Sequence, residues 1–108
     1  MPQKNRIIYT PIAVDDMDEM FSYISNDNIV SAENLLKKIS DGIIGLAVFP
    51  NMGSVLSEDE YILINRGYRF IVVQPYLVFY RIIDNNVIIH RILHGRRDYL
   101  RELFAVQE

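Results

Sequence analysis

Residues 68–93 read YRFIVVQPYLVFYRIIDNNVIIHRIL: three apolar runs separated by only two or three residues. The runs are rich in Val, Ile, Tyr and Phe, side chains that suit a pleated, half-buried surface. Connections this short leave no room for a crossover. Runs 68–73, 76–83 and 87–93 therefore predict an antiparallel meander, turned at "QP" (74–75) and "DNN" (84–86). Alternation along the second run sends Tyr76, Val78, Tyr80 and Ile82 one way and Leu77, Phe79, Arg81 and Ile83 the other. In the third, Val87, Ile89, Arg91 and Leu93 oppose Ile88, His90 and Ile92. Both faces carry apolar groups, so parity alone does not say which one is covered.

The first half of the chain supplies the cover. "RIIYT" (6–10) reads as a short strand, and Thr10 and Pro11 form an N-cap followed by proline at the first helical position. Ala13, Met17, Met20, Phe21 and Ile24 then recur at helical spacing. Asp15, Asp16, Asp18 and Glu19 occupy the early turns, where the helix dipole favours acids. "SNDN" (25–28) ends this helix and caps a second, whose apolar side is Leu35, Leu36, Ile39, Ile43, Leu46 and Ala47. "FPNMG" (49–53) stops it. Two helices joined by about four polar residues predict an antiparallel hairpin. "DYLRELF" (98–104) has the composition of a short terminal helix. The expected fold is α+β, with an N-terminal helical hairpin packed on one face of a small, mainly antiparallel sheet.

At 108 residues, half of them hydrophobic, the chain fits a single domain spanning 1–108. Without cysteine it has no disulfide, thiolate metal site or cysteine nucleophile. No apolar run approaches the roughly 20 residues that span a bilayer. "MPQKNRIIY" lacks the apolar stretch of a signal peptide. The expected compartment is the cytoplasm, with no membrane partner. Charge is uneven. Residues 1–65 carry four basic groups against ten acids, whereas residues 66–108 carry seven arginines, no lysine and four acids. Arginine suits planar, bidentate recognition of carboxylate or phosphate. The second half reads either as a solvated set of sheet cations or as a local positive surface on an acidic protein.

Four strings, in this order, resemble the RelE/ParE superfamily of toxins from bacterial type II toxin–antitoxin modules: "YTPIAVDDMDEMFSYI" (9–24), "SAENLLKKISDGIIGLAVFPNMG" (31–53), "PYLVFYRI" (75–82) and "ILHGRRDY" (92–99). The resemblance covers about residues 6–104, and the last two strings look closest to the ParE-like branch. It implies a toxin that is neutralised by a cognate antitoxin. A homodimer, or a heterotetramer with the antitoxin, is among the assemblies open to such a chain. ParE-like members poison DNA gyrase. RelE-like members are metal-independent endoribonucleases that cut messenger RNA on the ribosome.

The residues weigh toward the first branch. The RelE-like arginine of the "GYRLVY" strand corresponds here to Leu77, and the lysines of the preceding strand have no counterpart except Arg69. Arg97, or Arg96, matches the second family arginine. The terminal tyrosine meets Leu103 or its neighbours, with Tyr99 close by but out of place. A nuclease reading would rest on His94, Arg97 and Tyr99. His94 has a side chain suited to proton transfer, although a turn histidine bonded to a backbone carbonyl is the plainer alternative. A binding reading assigns Arg69, Arg81, Arg96 and Arg97 to acidic groups of a target or antitoxin. His90 is expected as a packed sheet residue. Tyr61, Tyr68, Tyr76, Tyr80 and Tyr99 serve either packing or base stacking. No cofactor and no metal is expected, because neither histidine has acidic or thiol neighbours.

Overall fold

The computed structural model describes residues 5–55 and 67–95. Strand β1 (Arg6–Tyr9) leads into helix α1 (Pro11–Ser25), and α2 (Ile29–Val48) follows. A turn of 3-10 helix (Pro50–Met52) and a two-residue strand β2 (Ser54–Val55) come next. Strands β3 (Arg69–Val73), β4 (Tyr76–Ile83) and β5 (Asn86–His94) form the meander. The five strands make one mixed sheet in the order β1-β5-β4-β3-β2. Only β1 runs parallel to its neighbour, pairing with β5 from Arg6↔Asn86 to Tyr9↔Ile89. The anticipated helix over 98–104 and the acidic segment after Val55 lie outside the described residues.

The expected caps are present. The Thr10 hydroxyl accepts from the Ala13 N–H at 3.1 Å and donates to the His90 carbonyl at 3.0 Å, so one side chain starts α1 and ties it to β5. Asn28 caps α2 by accepting from the Ser31 N–H at 3.0 Å. With Asn26–Asn28 as the only connection, α2 folds back along α1 and the two are in contact. The acids of α1 begin beyond its first turn, which contains none. The dipole effect expected for Asp15, Asp16, Asp18 and Glu19 is weak there, since it fades past the end turn.

Both helices lie on one face of the sheet. Ala13 and Met20 of α1 and Ile39, Ile43 and Leu46 of α2 pack with Val78 and Tyr80 of β4 and Val87, Ile89 and Ile92 of β5. Fully burying a side chain of this kind stabilises by about 1.5–3 kcal/mol. Of the two parity sets on β4, Tyr76, Val78, Tyr80 and Ile82 thus face the helices. Along β5 the strict alternation fails. Phe79 pairs with Arg91 and Tyr80 with Ile89, leaving His90 as an extra residue opposite the Phe79–Tyr80 step. A bulge of this kind shifts parity for everything beyond it. Ile92, expected on the face away from Val87 and Ile89, therefore joins them in the core.

Candidate functional site

Three polar clusters decorate this frame. The first joins α1 to β5. Strand β1 ends at Tyr9, so β5 beyond Ile89 loses its parallel neighbour. The Asp16 carboxylate takes over that edge, accepting the Ile92 N–H on Oδ2 at 2.9 Å. The same group holds Arg91 bidentately, Nε to Oδ2 at 2.8 Å and Nη2 to Oδ1 at 2.9 Å. Both residues are buried. Nothing local in "VDDMDEM" (14–20) distinguishes Asp16 from the exposed Asp15 and Asp18. Its helical phase, three residues past buried Ala13, was the one available signal.

Beside this pair lies a half-open cavity of about 140 Å³. Met20 and Ile92 form its floor, and Asp16, Glu19 and Tyr23 of α1 line one side. Tyr76 and His94 line the other, with ring centroids 5.4 Å apart, edge to face. His94 is thus the last residue of β5 with its ring against Tyr76.

The second cluster is on the sheet face away from the helices. Arg81 Nε donates to His90 Nε2 at 3.1 Å, and its guanidinium sits 5.1 Å from the Tyr68 ring centroid. Tyr68 meets the His90 ring edge to face at 5.2 Å. Burial, and secondarily the positive charge of Arg81, lowers the His90 pKa to about 4. The ring is therefore neutral at pH 7, with its Nε2 lone pair used by Arg81.

The third cluster explains "FPNMG". Tyr80 is fully buried, and its hydroxyl donates to the Pro50 carbonyl at 2.7 Å and accepts from the Gly53 N–H at 3.0 Å. Burial raises the phenol's pKa above its ordinary value, so it stays protonated. A Cβ on Gly53 would press on the Tyr80 hydroxyl and come 2.7 Å from Tyr80 Cε1 and 2.8 Å from the Phe70 carbonyl. Only glycine fits there. Arg69 Nη1 donates to the Gly53 carbonyl at 2.9 Å, fastening the same turn.

Among the residues singled out from sequence, Arg69 clasps the 3-10 turn, Arg81 braces His90, and His94 edges the cavity. Arg96, Arg97 and Tyr99 lie outside the described residues. His94 pairs with Tyr76 at the start of β4, whereas Arg81 is five residues further along, roughly 16 Å at strand rise, on the opposite face. The two are not brought together. Tyr68 and Tyr80 are packed inside, with Tyr76 half-buried. Among the described residues no group of three or more His, Asp or Glu could hold a metal ion, and no helix is long and apolar enough to cross a membrane.

The ParE toxin family of the type II toxin–antitoxin system parDE matches residues 7–99 of this sequence. The chain belongs to the ParE toxin family. Toxin ParE3 of Caulobacter vibrioides is 31% identical over 99 residues, covering 91% of this chain and 94% of that protein. A solved structure, described as a chromosomal ParDE TA system from P. aeruginosa, superposes with a TM-score of 0.67 at 20% identity, covering 85% of this chain and 97% of that one. That likeness shows the fold. The ParE toxin match spans the three clusters described above, from β1 through Tyr99.

Proposed function

We propose that this ParE-type toxin arrests growth by binding rather than by catalysis, acting in the cytoplasm on a replication target such as DNA gyrase until a cognate antitoxin neutralises it. The observation that carries this reading is the commitment of Arg69, Arg91 and His90, among the described residues, to the fold. Phosphodiester cleavage through a 2′-oxygen needs a base, a cation and an acid around one phosphate. Here Arg91 is held by Asp16, Arg69 by the Gly53 carbonyl, and His90 is neutral with its acceptor nitrogen occupied by Arg81. Leu77 stands on the strand where the RelE-like resemblance calls for an arginine. Family membership and the likeness to a ParDE TA system support an antitoxin as the neutralising partner.

The test is expression from a tight promoter with DNA and messenger RNA followed together. An SOS response and gyrase–DNA cleavage complexes are the expected result. Transcripts cut at ribosomal A-site codons would overturn the reading in favour of a messenger-RNA interferase. Absence of any growth defect would overturn it in favour of a toxin that has lost its activity.

A further inference from the structure

The cavity between α1 and the β4–β5 end holds a combination of groups the fold does not use up. Its floor, Met20 and Ile92, is apolar and nearly inaccessible, at 3% and 2% exposure. Above the floor stands Glu19, exposed, with no hydrogen bond or ion pair to its carboxylate among the described residues. One turn on, Tyr23 is 77% exposed, which is unusual for an aromatic ring and leaves its π-face open to solvent. Asp16 forms the inner wall. Its Oδ2 accepts two hydrogen bonds and its Oδ1 one, so a four-site carboxylate keeps a further acceptor position on Oδ1.

An apolar floor, a solvent-facing carboxylate and an open aromatic face are together complementary to one kind of side chain. It has an aliphatic stem to lie on the floor and a flat cationic head for the carboxylate and the ring. Charge points the same way. Arg91 is matched by Asp16 behind the wall, which leaves Glu19, with the exposed Asp15 one turn before it, to set a negative potential at the mouth among the described residues. A volume of about 140 Å³ admits one side chain, not a folded element.

We infer that this cavity takes an arginine side chain presented by a partner protein. The inference rests on the reading that the chain works by binding proteins, and it names a chemistry that such a partner must offer. Arginine is favoured over lysine because its planar head can stack on Tyr23 while two parallel N–H groups meet the Glu19 carboxylate.

The test uses the full-length, isotope-labelled protein and the probe N-acetyl-arginine N-methylamide, with the uncharged citrulline analogue as control. The expected result is saturable amide shifts at Glu19, Met20, Tyr23 and Ile92 with the arginine probe and none of comparable size with citrulline. The double variant Glu19→Gln/Tyr23→Ala removes only exposed groups and should keep the thermal midpoint within a few degrees. It should weaken the probe about tenfold, from one surface ion pair and one cation–π contact. Equal shifts with citrulline, shifts that do not saturate, or an unchanged affinity in the double variant would each overturn the inference. Growth arrest and gyrase cleavage complexes are read separately, so a failed arginine site and a failed toxin reading give different results.

Discussion

Asp16 on α1 and Arg91 on β5, 75 positions apart in the chain, form a buried bidentate ion pair whose carboxylate also caps the Ile92 N–H. Removing one partner strands the other charge. Asp16→Ala should destabilise by about 3–5 kcal/mol in urea denaturation, the range for breaking a buried pair. Asp16→Leu with Arg91→Met should recover part of that. It should remain about 1–3 kcal/mol below wild type, because the Ile92 N–H stays unsatisfied. A double variant as unstable as the single one would show that the ionic contact is not the source of the loss.

The Tyr80 hydroxyl serves two backbone groups of the "FPNMG" turn. Tyr80→Phe leaves the buried Gly53 N–H and the part-buried Pro50 carbonyl without their partner and should cost about 1–3 kcal/mol, mostly from the buried N–H. Gly53→Ala should cost a similar amount by overpacking. The two share atoms, so together they should cost less than their sum, since the Phe side chain removes the oxygen nearest the new methyl. Thermal unfolding of the four proteins in the cycle checks this.

His90 makes stability depend on pH. Its folded pKa is about 4 against an ordinary 6.5, so between those values the unfolded chain binds more protons than the folded one. Stability from this group is complete above about pH 6.5 and falls as pH drops toward 4. The loss should be on the order of 2 kcal/mol by pH 4.5, below the full linkage value because that pH still lies above the folded pKa. Carboxylates titrate in the same region, so the measurement is the difference between wild type and His90→Gln in urea midpoints at pH 7 and pH 4.5. The wild type should lose more on acidification.

Arg96→Ala with Arg97→Ala should abolish growth arrest on induction while the thermal midpoint stays within a few degrees of wild type. Undiminished arrest would mean that those arginines do not touch the target.

Leu77→Arg should not confer messenger-RNA cleavage in a ribosome-programmed assay. Among the described residues, the histidine on that face of the sheet, His90, already has its acceptor nitrogen occupied by Arg81.

The sequence by itself determined what is decided within a few residues. Thr10–Pro11 and Asn28 start the helices, "QP" and "DNN" mark the turns between strands, with Asn86 of the latter already in β5, and the apolar spacing of α1 and α2 names their buried faces. Each signal rests on backbone geometry or capping between near neighbours. Family membership was legible too, because motif order survives in the chain.

Only the tertiary structure decided which face of the sheet the helices cover and that His90 is an extra residue in β5. It also set the separate fates of three similar acids, burying Asp16 while Asp15 and Asp18 stay in water, and it turned Arg69 onto a carbonyl. The cavity beside Glu19 and Tyr23 comes from the same source, since its walls are brought together by β5 lying next to β1. These outcomes hang on contacts between residues tens of positions apart, where the desolvation of a charge or the fit of one side chain wins over local preference. A periodic pattern carries no record of such contacts.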